Sequence, residues 1–195
     1  MPYIIYPPES PLAVFSKSPH LSPQLVFLTG EPGSGKSTHC ADLVNQARGK
    51  GIRIAGFLSK AVFSQGQKIA IELEDLASGE RRRLAARRPV ETLEGSSDYV
   101  TESWVLEADT VAWGEGFLGA VAFCELLVLD ELGPLELSRG KGLQTALSLI
   151  ERRDYRWACA VVRPALLSIA FERWPWGRVV DVSRTEQLTW WEEQG

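Results

Sequence analysis

The stretch LTGEPGSGKST, Leu28 to Thr38, carries residues whose types and spacing suit the holding of phosphate. It fits G-x-x-x-x-G-K-[ST], with Gly30, Gly35, Lys36 and Ser37 at the fixed positions. An apolar run precedes it and a helical pattern follows, the context in which such a loop cradles a triphosphate. Gly33 and Gly35 let the backbone turn sharply and approach a ligand. The amides of Gly33, Ser34, Gly35, Lys36, Ser37 and Thr38 can point at phosphate oxygens, while Pro32 adds none because it lacks an N–H. The start of the helix adds its partial positive charge. Lys36 can reach the β- and γ-phosphates, and the Ser37 hydroxyl is placed to ligate Mg²⁺. Glu31 puts a negative charge inside the loop. Turned inward it would repel a triphosphate, so its side chain is expected to face solvent. Ordinary residue usage produces this pattern by chance on the order of once per hundred chains of this size.

A second constellation is ELLVLDELGPLEL, in which Asp130 and Glu131 directly follow the apolar run Leu126, Leu127, Val128, Leu129. An acid at the tip of a buried strand is costly without a charge partner. Mg²⁺ supplies one, so Asp130 is expected opposite Ser37 as the metal pair. A carboxylate one position further, Glu131, can face a γ-phosphate and orient or deprotonate water, which favours hydrolysis over transfer. Gly133 and Pro134 form a rigid turn that would hold Glu131 still. Glu125 and Glu136 look like surface or loop acids, with Glu136 able to brace that turn. Arg163 ends the strand ACAVV. Two roles stay open for it: stabilising the transferring phosphoryl group, or a surface arginine at a strand-to-helix turn. Lys36, Glu131 and Arg163 are the catalytic candidates.

The elements that must position these groups follow from the patterning of the 195-residue chain. Residues 1–23 carry Pro2, Pro7, Pro8, Pro11, Pro19 and Pro23 and read as an extended arm that can pack on the surface or on a protein partner. Residues 24–195 read as one domain with a full core. QLVFLTG is a buried strand, and Cys40, Leu43 and Val44 carry the apolar face of a helix stopped by Gly49 and Gly51. IRIAGFLS, KIAIELEDL and RRRLAAR are strands joined by turns at SQGQ and SGE, an inserted hairpin or small meander. ESWVLEADTVAWGEGFLGAVAF reads as a long helix or helix pair. KGLQTALSLIERRD and ALLSIAFERW read as helices, WACAVVRP and GRVVDV as strands. TEQLTWWEEQ reads as a terminal helix capped by Ser183 or Thr185. Strands apolar on both faces alternate with helices, the mark of an α/β parallel sheet covered on both sides. Ligands sit beyond the carboxyl ends of such strands, so the loop at 28–38, the acid pair and Arg163 should gather at one edge.

Composition narrows the function classes. Hydrophobic residues at 45% and charged residues at 24% are ordinary for a globular domain. A net charge of -4 gives no overall basic footprint and argues against nucleic acid. The local run Arg81, Arg82, Arg83, Arg87 and Arg88 is either a solvated face or a basic rim over a phosphate site. Cys40, Cys124 and Cys159 are odd in number and lie in core segments, as expected for reduced thiols of a cytoplasmic protein. The two histidines, His20 and His39, form no ligand cluster with them. The opening MPYIIYPPES lacks the pattern of a signal peptide, and no apolar run is long enough to cross a bilayer. Trp174, Trp176, Trp190 and Trp191 are expected in the core or in helix docking.

The segments GEPGSGKST, GIRIAGFLSKAVFSQGQKIAIELEDLASGERRRLA, LLVLDELGPLEL and VVRPALL resemble the small P-loop nucleoside-triphosphatases, the group with the thermostable broad-specificity NTPases and the cancer-related NTPase. The resemblance runs from about Gln24 to Val182. It implies a three-layer α/β fold with a RecA-like, mostly parallel sheet and an inserted β-hairpin. It also implies slow, Mg²⁺-dependent hydrolysis of ATP, GTP and other nucleoside triphosphates. The nucleotide site it implies spans Gly30, Glu31, Pro32, Gly33, Ser34, Gly35, Lys36 and Ser37, with Leu126, Leu127, Val128, Leu129, Asp130, Glu131, Leu132 and Gly133, and Glu131 is its catalytic acid. Two rival readings remain: a small-molecule or nucleotide kinase with the Arg81–Arg88 run as a lid, and a nucleotide-dependent switch that captures a protein partner through residues 1–23. No segment names a preferred base.

Overall fold

The computed structural model describes residues 22–88, 100 and 103–184. Residues 1–21 of the expected arm at 1–23, the helix expected over TEQLTWWEEQ, and Trp190 and Trp191 lie outside the described residues. The elements are β1 (Gln24–Thr29), α1 (Lys36–Gly49), β2 (Ile54–Ser64), β3 (Gln67–Asp75), β4 (Arg81–Arg87), β5 (Trp104–Leu106), α2 (Ala108–Gly119), β6 (Cys124–Leu132), α3 (Pro134–Arg139), α4 (Gln144–Arg152), β7 (Tyr155–Val162), α5 (Leu167–Arg173) and β8 (Arg178–Asp181).

One sheet holds all eight strands, in the order β5-β4-β3-β2-β6-β7-β1-β8. Strands β2, β6, β7, β1 and β8 are mutually parallel, and β3, β4 and β5 extend the sheet as an antiparallel meander. The insert is therefore continuous with the main sheet. The central strands bury both faces. Val26, Leu28, Leu126 and Val128 pack under α1, against Cys40, Leu43, Val44 and Ala47 at helical spacing. Leu25, Phe27, Leu127 and Leu129 face the opposite way, into a layer with Leu118, Leu143, Leu147, Ile150 and Trp174. This is the three-layer α/β arrangement that the alternation of strands and helices predicts. All three cysteines are buried and unbridged. No helix among the described residues is long and apolar enough to cross a membrane.

Three segments differ from the sequence expectation. Trp104, Val105 and Leu106 pair with Arg87, Ala86 and Ala85 as β5, so the helix begins only at Ala108. The apolar residues of that short strand fit a helical pattern as well as a strand, and the pairing decides. PLELSR forms the short helix α3 instead of only a turn, with Pro134 at its first position, where a missing N–H costs nothing. Strand β2 also runs on to Ser64, past the end of its pairing with β6 at Phe57↔Leu129.

Candidate active site

Because β6, β7 and β1 are neighbours, their carboxyl ends bring the phosphate loop, the acid pair and Arg163 to one edge. The loop turns through left-handed glycines, with Gly33 at φ +79 and Gly35 at φ +89. The first α-helical bond is from His39 N–H to the Gly35 carbonyl at 2.8 Å. The amides of Lys36, Ser37 and Thr38 therefore have no intrahelical acceptor and open onto the loop. The Ser34 amide instead bonds the Glu31 carbonyl at 3.1 Å, so this donor is engaged within the loop. The Lys36 ammonium donates to the Gly30 and Glu31 carbonyls, each at 2.8 Å, which holds its charge inside the loop. Glu31 is exposed, as its charge requires. The hydroxyls of Thr29 and Ser34 are buried without a hydrogen-bond partner among the described residues.

The loop is joined to the acid strand by a direct bond from Ser37 Oγ to Asp130 Oδ1 at 3.1 Å. Asp130 is only 1% exposed. Its other oxygen, Oδ2, accepts the Ser59 amide at 3.1 Å. Burial pushes the Asp130 carboxyl up to about 6, against the pull of the Ser59 amide and the Ser37 hydroxyl. Such a carboxylate, with two neutral donors and a raised pKa, fits a cation. Among the described residues no three His, Cys, Asp or Glu side chains gather to cage a metal. A two-residue set suits Mg²⁺, which keeps most of its shell as phosphate oxygens and water.

Glu131 sits where β6 carries one residue more than β7, between the pairs Leu129↔Ala160 and Leu132↔Val162. This bulge puts Glu131 at φ +82, a conformation that costs a side-chain-bearing residue about 1–2 kcal/mol. Bulges of this kind re-aim a side chain. The Arg163 guanidinium donates through Nε to Glu131 Oε1, so two of the three catalytic candidates form an ion pair. Following Glu131, the Gly133 amide donates to Glu136 Oε2 at 3.0 Å. Glu136 thus braces the turn from a partly buried position, where desolvation raises its pKa, opposed by backbone amides and reinforced by Glu131.

Other candidates lie apart from this edge. Leu126, Leu127, Val128, Leu129 and Leu132 are at most 1% exposed, so their side chains build the core and offer a ligand no surface. The arginines of β4 lie two strands beyond β2 and spend their charge on local acids: Arg81 on Glu74, Arg82 on Glu80, Arg83 on Glu107. For these three arginines, that favours the solvated face over a rim on phosphate. Trp174 is fully buried against Phe27, with ring centroids 6.2 Å apart. His39 is buried, and burial lowers its pKa to about 4, so it is neutral at pH 7.

Two positioning groups escaped the sequence reading. Ser59 acts through its backbone amide, which no residue type signals. Ser183 accepts the Glu31 amide at 2.8 Å and crowds Gly30, where a Cβ would stand 2.6 Å from its Oγ. Asp181 in turn accepts the Ser183 amide at 2.9 Å, bracing the loop from the end of β8.

Comparison with known proteins gives a consistent result. A family model described as NTPase matches residues 25–167. A nucleoside-triphosphatase THEP1 of Caldivirga maquilingensis is 28% identical over 132 residues, 68% of this chain and 72% of that protein. One from Methanothermobacter thermautotrophicus is 31% identical over 146 residues, 74% of this chain and 79% of that protein. Among solved structures, a human cancer-related nucleoside triphosphatase superposes with a TM-score of 0.61 at 22% identity, covering 81% of this chain and 88% of the other. That last likeness speaks to the fold.

Proposed function

The chain belongs to the NTPase family, the nucleoside-triphosphatases, and from that premise we propose that it slowly hydrolyses ATP, GTP and other nucleoside triphosphates to the diphosphate and phosphate. The observation that carries this reading is the Ser37–Asp130 bond at 3.1 Å, which joins the phosphate loop to the acid strand. Lys36 leaves the Gly30 and Glu31 carbonyls and meets the β- and γ-phosphate oxygens. The amides at the start of α1 bind the same charge. Ser37 and Asp130 would hold Mg²⁺, which when bound neutralises charge building on the phosphate oxygens. Glu131 orients a water for in-line attack and takes its proton. Arg163, released from Glu131, stabilises the negative charge of the departing phosphoryl group.

The test is phosphate release from a panel of nucleoside triphosphates with Mg²⁺, for wild type and Glu131→Gln, alongside nucleotide binding. Release from several nucleotides, falling about 10²- to 10⁴-fold in the variant while binding persists, supports the mechanism. Unchanged release removes Glu131 from it. Tight binding without release in wild type favours the kinase or switch, and a phosphate acceptor or a protein captured by residues 1–23 must then be sought.

A further inference from the structure

Glu136 is a partly buried carboxylate that the hydrolytic scheme above does not use. It lies on α3, five residues beyond Glu131. Its Oε2 accepts the Gly133 amide at 3.0 Å and its Oε1 accepts the Leu143 amide at 3.2 Å. Those amides belong to different segments: Gly133 directly follows the tip of β6, and Leu143 directly precedes α4. Both flanks of the carboxylate are glycine backbone. A Cβ at Gly142 would stand 2.0 Å from Oε1, and one at Gly133 would stand 3.4 Å from Oε2. The Gln144 side-chain amide closes the same knot, donating to the Glu136 carbonyl at 3.2 Å and the Lys141 carbonyl at 2.6 Å. The carboxyl group is thus fixed at both oxygens, and its main chain is fixed as well.

A left-handed residue such as Glu131 persists only where its surroundings over-determine it. On the N-terminal side Leu129 is held by its pairing with Ala160; on the C-terminal side Leu132 is held by Val162. The next donor along, Gly133 N–H, has left the sheet and is held by Glu136 alone among the described residues. A side chain reaching back one turn to a backbone amide would cap a helix in any protein. Here the capped amide is two residues from the strained Glu131, and the second oxygen ties that turn to α4.

We propose that Glu136 is a positioning residue for hydrolysis: by clamping the Gly133 and Leu143 amides it holds Glu131 in its left-handed conformation, with its carboxylate against Arg163 at the sheet edge where the phosphate loop also lies. The proposal rests on Glu131 being the group that orients water. Without the clamp the turn relaxes to ordinary backbone, and the Glu131 carboxylate moves while Lys36, Ser37 and Asp130 stay in place.

The experiment compares Glu136→Gln, Glu131→Gln and the double variant, each followed by steady-state hydrolysis of ATP and by direct nucleotide binding. Glutamine keeps the size but turns an NH2 group against one of the two amides. The expected result is a fall in kcat of about 10- to 100-fold, the loss that a misplacement near 1 Å brings, with KM and nucleotide Kd within about twofold of wild type. In the Glu131→Gln background the same change should cost nothing further. A kcat unchanged by Glu136→Gln, beside a defective Glu131→Gln, overturns this proposal alone. A weakened nucleotide Kd, or an equal loss in both backgrounds, also overturns it and leaves Glu136 a structural acid. Unimpaired Glu131→Gln overturns the hydrolytic reading and this proposal together. Should Glu136→Gln fail to fold, Gly142→Ala displaces the carboxylate without removing it and is read by the same criteria.

Discussion

Replacing Glu131 by Ala and by Gly separates the backbone strain at the site from its chemistry. Both changes delete the carboxylate and the exposed pair with Arg163, so those losses cancel between the two variants. What differs is the Cβ. At φ +82 it costs about 1–2 kcal/mol, which glycine does not incur. Glycine loses about 0.5–1 kcal/mol relative to alanine through greater freedom in the unfolded chain. The difference leaves the Gly variant more stable than the Ala variant by about 0–1.5 kcal/mol, a gain of up to about 5 °C in Tm for a chain of this size. The control is Ala112→Gly at an exposed position inside α2, where the order is reversed and glycine costs about 1 kcal/mol. Thermal melts and urea unfolding of all four proteins read the two differences. Neither Glu131 variant should release phosphate, so any gain in stability comes without function. A Gly variant less stable than the Ala variant by the margin seen at position 112 refutes the strain at Glu131, and with it the need for a clamp.

Three further outcomes follow from the geometry. Gly56→Ala should destabilise by about 2–5 kcal/mol in urea unfolding, because its Cβ would meet the Val128 carbonyl at 1.9 Å with φ at +106; a loss under about 1 kcal/mol contradicts this packing. Arg82→Ala with Arg83→Ala should leave kcat and KM within about twofold, since Arg82 binds Glu80 and Arg83 binds Glu107 on a strand separated from β1 by four others; a large rise in KM would restore the basic rim. Burial alone would raise the pKa of Glu74, but Lys60 at 2.6 Å and Arg81 at 2.8 Å outweigh it and hold it below the ordinary 4.5. The fold therefore binds that proton less well than the unfolded chain does. The stabilisation is complete above the unfolded value and is lost as pH falls through the lower folded value. Unfolding of wild type and Glu74→Gln from neutral pH into this acid window should show the wild-type advantage shrinking, and an advantage constant with pH would rule out the ion pairs as its source.

The sequence revealed the parts of the site whose residue types dictate backbone. Gly33, Gly35 and Lys36 can be read because a phosphate loop demands those types at that spacing, and Asp130 because an apolar strand ending in acid needs a partner. The partners themselves were less visible. The arginines of β4 look like a cationic run until strand pairing brings Glu74 beside Arg81 and a helix start brings Glu107 beside Arg83. Trp104–Leu106 is too short a strand to show a period of two, so the longer helical pattern after it absorbed those residues. Glu136 shows only as an acid near a turn, because its burial depends on where α4 lies. Ser59 contributes a backbone amide, which any residue but proline carries.

These gaps share a physical origin in strand length. Strand β2 outlasts its pairing with β6, so the Ser59 amide finds no carbonyl in the ladder and meets Asp130 instead. Strand β6 has one residue more than β7 across its last pairs, so Glu131 is pushed out of the ladder and into left-handed backbone. Both acids owe their position to a mismatch between neighbours in the sheet. Hydrophobic alternation reports which residues are buried, but where one strand ends relative to the next is set by tertiary pairing between segments far apart in the chain. The apolar run from Leu126 to Leu132 therefore announces a buried strand ending in acids. Only its register against β2 and β7 makes one of those acids a buried partner of Ser37 and aims the other outward.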